Sequence, residues 1–326
     1  MLTRIRRFWR LLNRVIDRLS AEPIHAQRTL DHQLLLLGRS ISWQVRQKDA
    51  IGTLEDVEFQ VYSQWGEDGI IDWLVENVPI DDTTFVEFGV ENYLEANTRF
   101  LLQNRNWRGL VMDSNPTHVA KIEGDELYWR HDIKAVSAFV TRQNIDNLLG
   151  ENEICGDIGL LCIDIDGNDY WVLDAINVIS PRILVCEYNP IFGDLHAITI
   201  PYNPDFQRLK AHPSGQYFGA SIKAIRNLAM RKGYEFVGTC SNGINAFFVR
   251  KDLFGTIADK ITDRRAFSSR HRDSRDEAGC LTHVAGARRA DLIKSLPVLL
   301  IEEGNREAPI ASLYPLYSDD WMQHMR

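Results

Sequence analysis

The stretch TFVEFGVENYLEANTRFLLQNRNWRGLVMDSNP, residues 84–116, decides the fold. It opens with an apolar run that stops at Gly89, passes through helical spacing over 94–105, and returns to a second apolar run, GLVMD at 109–113. Pro116 then opens another helix behind Asn115, a residue type that caps helix N-termini. Glu87 and Asp113 stand 26 residues apart, the length of one strand–helix–strand unit. Both acids should therefore border one crevice at the carboxyl ends of neighbouring parallel strands.

The same alternation continues in both directions. Residues 65–78 read as a helix, 126–130 as a short strand, 136–149 as a helix, GLLCIDI at 159–165 as a strand, about 169–178 as a helix, RILVCEY at 182–188 as a strand and 220–232 as a helix. Continuous apolar strands separated by helices specify a parallel sheet covered on both faces. In YEFVGTCSNGINAFFVR (234–250) two β-rich runs flank Asn242-Gly243, a strong hairpin signal. The expectation is an α/β, doubly wound, Rossmann-like sheet, mostly parallel and seven-stranded, with an antiparallel terminal hairpin. It should occupy residues 51–255, between a basic helical leader (1–50) and a C-terminal appendage (256–326).

Composition narrows the function classes. With 326 residues, 44% hydrophobic and 25% charged, the chain has the balance of a soluble globular protein. The net charge is −8, but residues 1–50 hold ten Lys/Arg against four Asp/Glu, which leaves −14 on the rest. An acidic body argues against nucleic acid as a partner, since phosphate-backbone binding needs a basic footprint. The five cysteines have no metal-knuckle or disulfide spacing and read as free thiols of a cytoplasmic protein. No apolar run approaches the roughly 18 residues of a membrane span. Residues 2–19, LTRIRRFWRLLNRVIDRL, form a basic amphipathic pattern whose arginines interrupt any signal-peptide centre. Such a helix fits peripheral contact with an anionic inner-membrane surface or self-association through its apolar stripe.

Every strand end in this reading carries an acid: Glu87, then Glu91 and Asn92; Asp113; His131 and Asp132; Asp164 and Asp166; Glu187 and Asn189. Gly89 would let backbone approach a ligand closely, and Asp113 is placed to accept ribose hydroxyls. The glycine fingerprint of a pyrophosphate site is absent, because Val90, Glu91, Asn92 and Tyr93 follow Gly89. An acidic, glycine-poor turn repels a diphosphate. S-adenosylmethionine, with a ribose, an ammonium and a sulfonium but no phosphate, answers that electrostatics.

On these residues the chain resembles class I methyltransferases, and more narrowly the FkbM-like group associated with sugar and polysaccharide modification. The resembling segments are SQWGEDG (63–69), FVEFGVENYLEANTRFL (85–101), GLVMDSNP (109–116), LLCIDIDGNDYWVLDAI (160–176), LVCEYNP (184–190) and the 234–250 hairpin. The resemblance implies that Glu87 and Gly89 line the methionine side with Glu91 or Asn92 nearby. It implies further that Asp113 holds the ribose, that Asp132 meets the adenine amino group, and that Gln64 and Glu67 close the site. The chain departs from the fold's usual glycine-rich loop, which is reduced to Gly89.

A second acidic group, Asp164, Asp166, Glu187 and Asn189, should converge on adjacent strand ends. Such a cluster suits Mg²⁺, or else a carboxylate with a raised pKa acting as a base, and methyl transfer to a hydroxyl needs one of these. Asp166 or Glu187 is the favoured base, with His196 in the following loop a further candidate. The acceptor expected from the resemblance is a small-molecule or glycan-precursor hydroxyl. Five arginines (264, 265, 270, 272 and 275) fit either an anionic acceptor or a solvated surface laced with acids. Two other functions stay open: a metal-dependent glycosyltransferase using Asp164-Ile165-Asp166, and a non-catalytic binding scaffold that has lost its glycines.

Overall fold

A computed structural model describes residues 29–325. The expected basic helix at 2–19 lies outside the described residues. The first helix, α1, covers 29–46 and is tied to α2 (Glu67–Asn77) by the Ser42 hydroxyl, which donates to Asp72 at 2.7 Å. Then follow β1 (Thr84–Phe88), α3 (Arg99–Arg105), β2 (Arg108–Asp113), α4 (Pro116–Glu123), α5 (Glu126–Arg130), β3 (Ile133–Ser137), α6 (Ile145–Glu151) and β4 (Gly156–Ile163). After α7 (Asp169–Ala175) and β5 (Ile179–Glu187) come β6 (Ile198–Thr199), α8 (Arg208–Ala211), α9 (Ile222–Arg231), β7 (Tyr234–Thr239) and β8 (Asn245–Arg250). The C-terminal segment adds α10 (Arg288–Asp291), β9 (Pro297–Leu300), β10 (Arg306–Pro309) and α11 (Asp319–His324).

Seven strands form the main sheet in the order β3-β2-β1-β4-β5-β8-β7. Only β8 runs against its neighbours, pairing antiparallel with both β5 and β7. The expected doubly wound sheet with a reversed terminal hairpin is therefore present. Strand side chains alternate between faces, and the two main cores follow that period: Phe85, Val111, Leu160, Cys162 and Val185 are buried on one face, Val86, Phe88, Met112, Leu161 and Ile163 on the other. Chain order reverses at β1, which lies between β2 and β4. A ligand crevice belongs there, outside the strands' carboxyl ends.

One element differs from the sequence reading in a way that moves a site residue. Residues 126–130 are helical: the Asp125 side chain accepts from the Leu127 N–H at 2.8 Å, and Glu126 and Arg130 pair one turn apart. The third strand is instead Ile133–Ser137, which begins after the expected strand and takes the first two residues of the segment expected to be a helix. Asp132 consequently sits at the amino edge of the sheet, where its carbonyl accepts from the Gly109 N–H at 2.9 Å, and cannot reach a ligand at the carboxyl end.

Residues 256–326 are more than an appendage. β9 pairs antiparallel with both β10 and β6, so the second, three-stranded sheet draws one strand from the loop after β5. A third core joins Ile191, Phe192, Ile198 and Ile200 of that loop to Ile293, Val298, Ile310 and Leu316. Among the described residues no helix is long and apolar enough to cross a membrane.

Candidate active site

The carboxyl ends of β1, β2, β4 and β5 open into one cleft of about 1120 Å³. Its first half is built around β1 and β2. Gly89 holds a positive φ of +78°, and a Cβ there would meet the Asp164 carbonyl oxygen at 1.7 Å. Only glycine lets the turn after β1 press against the end of β4. Glu87, buried beside it, accepts from the Asn97 N–H (2.9 Å), the Thr98 N–H (3.0 Å) and the Thr98 hydroxyl (2.5 Å), which anchors the entry to α3. Burial raises the Glu87 pKa.

Asp113, the last residue of β2, bridges two loops. Its Oδ2 accepts from the Glu91 N–H (2.9 Å), its Oδ1 accepts from the Asn115 N–H (2.8 Å), and the same Oδ1 lies 3.1 Å from His118 Nδ1. Each oxygen of a carboxylate has two lone-pair sites, so Oδ2 keeps one for a ligand hydroxyl. Asn115 caps α4 by accepting from the Thr117 N–H at 2.9 Å, as its position before Pro116 predicts.

Of the residues expected on this side, Gln64, Glu87, Gly89, Glu91 and Asp113 line the cleft. Glu67 does not. Its carboxylate accepts from the Trp65 and Gly66 N–H groups (3.0 and 2.9 Å) and from the Asn245 amide (3.2 Å), and so serves the start of its own helix. Asn92 is likewise outside, its Oδ1 accepting from the Leu94 N–H at 3.1 Å. His118 and Phe139 line the cleft without having been expected. Phe139 stands just past β3 and would have been found by placing that strand correctly.

The second half lies beyond β4 and β5. Glu187 ends β5 with its Oε2 buried and without a hydrogen-bond partner. Burial, reinforced by the charges of Asp164, Asp166 and Asp169, holds its carboxyl well above the usual range. Asp164, at the end of β4, is raised well above that range too, by burial and then by Asp166 and Asp169. Asp166 takes a positive φ of 56° and receives the Arg208 guanidinium at 2.5 Å. Asp169, pushed up to about 6 chiefly by burial, holds the turn by accepting from the Ile165 and Gly167 N–H groups, both at 2.9 Å.

The expected metal set does not assemble. The Asn189 amide is a brace: Oδ1 accepts from the Ile191 N–H (3.0 Å), and Nδ2 donates to the Gln216 and Phe218 carbonyls (3.0 and 2.9 Å). Asp166 is turned to Arg208, and among the described residues no group of three or more His, Cys, Asp or Glu side chains is placed to hold a metal ion. Arg208 places a positive charge among these acids. Its Nη2 also donates to Asp273 (3.1 Å), its Nε to the Gly215 carbonyl (2.6 Å), and the guanidinium stacks 3.9 Å from the Phe218 ring centre. Within the Asp164-Ile165-Asp166 sequence, Asp166 is thus engaged by Arg208.

His196 is elsewhere, in a shallow depression with Tyr314 and Leu300, its Nε2 3.0 Å from the Pro315 carbonyl. The arginines at 264–275 also stay off the cleft wall: Arg265 pairs with Asp263, and Arg264 stacks on Phe254. Besides His118 of α4, the cationic and imidazole groups that do reach it, Arg208, His271 and Arg289, come from the segment after β5 and the C-terminal segment, whose patterns carry no local signal.

No protein-family model matches the chain, and no curated protein matches it. Among solved structures it is similar to an S-adenosylmethionine-dependent methyltransferase from Clostridium acetobutylicum, at 12% identity over 56% of this chain and 90% of that one, with a TM-score of 0.36. It is similar also to the N-terminal domain of EvdMO1 with SAH bound (11%, 65% and 94%, TM-score 0.38) and to the O-methyltransferase from Bacillus cereus in complex with SAH (14%, 52% and 74%, TM-score 0.34). At these scores the likeness adds no argument of its own, and the fold rests on the sheet order.

Proposed function

We propose that the chain is an S-adenosylmethionine-dependent methyltransferase acting on a hydroxyl of a small-molecule or glycan-precursor acceptor. One observation carries the reading: a single cleft at the reversal of strand order joins an Asp113-bridged, glycine-hinged cradle to a buried carboxyl, Glu187, whose Oε2 has no hydrogen-bond partner among the described residues. Bound S-adenosylmethionine would supply a methyl group activated by sulfonium. Glu87, Glu91 and Asp113 make its half of the cleft acidic, which favours a cation and disfavours a diphosphate. Asp113 Oδ2 keeps a lone pair for a ribose hydroxyl, and Gly89 lets the backbone come close. Across the cleft Glu187 Oε2 is free to accept an acceptor hydroxyl and take its proton, because nothing else among the described residues bonds to it. Its raised pKa makes it a stronger base than an exposed carboxylate. Arg208 limits the repulsion among these acids by pairing with Asp166.

The test is calorimetric titration of the full chain with S-adenosylhomocysteine in the presence of EDTA. Saturable binding is expected. Asp113→Asn should weaken it about 10–100-fold, the effect of losing a hydrogen bond to a charged acceptor. A folded protein that fails to bind would leave the cleft without its assigned cofactor and favour a non-catalytic scaffold.

A further inference from the structure

Where the C-terminal segment walls the cleft, it presents hydrogen-bond donors that the protein itself leaves unused. Arg289 is only 1% exposed, yet it lines the cleft. Its Nη1 donates to the Ser269 hydroxyl (3.2 Å), its Nη2 to the Ser269 carbonyl (3.0 Å) and its Nε to the Gly286 carbonyl (3.4 Å). All three acceptors are neutral. Asp273 acts on it only through space, being itself paired with Arg208 at 3.1 Å. A buried guanidinium without a carboxylate is an uncompensated charge, a costly arrangement unless something completes it.

Two neighbours share that orientation. Ser269 Oγ already accepts from Arg289 and from the His271 N–H (3.1 Å), so its own proton remains to be donated. His271 Nε2 is buried without a partner among the described residues, and the imidazole packs edge-to-face with the Trp65 ring, the ring centres 4.8 Å apart. Arg208 differs in that its charge is already compensated, its terminal nitrogens meeting the carboxylates of Asp166 and Asp273. On the same cleft Gln216 Oε1 and Asn245 Oδ1 are buried acceptors with no donor, which suits a ligand that also carries hydroxyls.

Resting on the methyl-transfer reading above, we propose that Arg289, His271 and Ser269 form a subsite for an oxyanion, a carboxylate or a phosphate, borne by the hydroxylated acceptor whose reacting hydroxyl faces Glu187. Each terminal nitrogen of the Arg289 guanidinium keeps one N–H beyond its bond to Ser269, and a charged guanidinium donates strongly to either oxyanion.

The experiment uses the full chain saturated with S-adenosylhomocysteine, titrated in turn with glucose, glucuronate and glucose 1-phosphate. At least one anionic probe should bind tenfold or more tightly than glucose. A preference for glucuronate assigns a carboxylate, and a preference for glucose 1-phosphate assigns a phosphate. Arg289→Gln should abolish the preference while S-adenosylhomocysteine binding persists. Because a variant at so buried a position can fail to fold, Ser269→Ala and His271→Ala are measured beside it, and each should reduce the preference severalfold. Equal binding of the three probes, no binding of any, or a preference that survives in all three folded variants overturns the subsite. Loss of S-adenosylhomocysteine binding with the anion preference intact would instead overturn the cofactor assignment and leave the subsite standing.

Discussion

Glu187 pairs across the sheet with Asn245 and looks into the cleft from the end of β5. Its pKa is raised in the folded protein, so at low pH it is protonated and cannot accept a proton from the acceptor. Turnover should therefore rise with pH through a transition above the ordinary carboxylate range and then level off. Glu187→Gln should lower turnover about 10²–10⁴-fold, flatten that rise, and leave S-adenosylhomocysteine binding unchanged. A variant with the wild-type profile would show that another group is the base. At this scale much was legible: Glu87, Gly89, Asp113 and Glu187 are strand-end residues, and placing the strands places them. Asn189 was misread because what decides its role, the Gln216 and Phe218 carbonyls, comes from 27 and 29 residues away. Glu67 has local partners, the Trp65 and Gly66 N–H groups, and only its third, Asn245, is 178 residues distant.

Among the elements, the amino edge of the sheet is fastened by charge. Asp157 on β4 receives Arg182 of β5 (Nη2, 2.8 Å) and Arg250 of β8 (Nη1, 2.9 Å), so one carboxylate spans three adjacent strands. The hydrogen bond from Arg182 leads in holding its pKa down at about 2. A folded pKa below the unfolded value of roughly 3.9 stabilises the fold above that pH, and the contribution is lost as pH falls toward 2. The Asp157 side chain is 42% exposed, so solvent screening limits the gain to about 1 kcal/mol. Asp157→Asn should thus unfold at lower denaturant concentration at pH 7 and match the parent near pH 2. A pH-independent difference would mean that packing, not charge, is responsible. The elements themselves were readable where the period was long and apolar, as in β1, β4, β5 and the β7–β8 hairpin. They were not readable at 126–137, where the Asp125 cap outweighs the short apolar run and Ile133, Ala135 and Val136 make only a partly buried strand.

In the whole molecule the two sheets depend on one another. The loop after β5 buries Ile191, Phe192, Ile198 and Ile200 against residues beyond 290, and burying such a side chain contributes about 1.5–3 kcal/mol. A chain ended after residue 255 should therefore melt well below the full protein and bind a hydrophobic dye, whereas an unchanged melting temperature would show that the main sheet stands alone. The apolar run PVLLI at 297–301 is legible as a strand, but nothing local announces its partners, because β9 and β10 are four residues each and gain meaning only beside β6.

The pairing of β6 with β9 also bears on how the protein is made. A ribosome releases residues in order, at about 5–20 per second. The seven-stranded sheet has all its strands once β8 emerges, but β6 must wait for a partner from near the far end of the chain. Through that interval the apolar loop is uncovered and Ser269, His271 and Arg289 have not reached the cleft. A nascent chain can therefore possess the cofactor half of its site before the wall opposite exists.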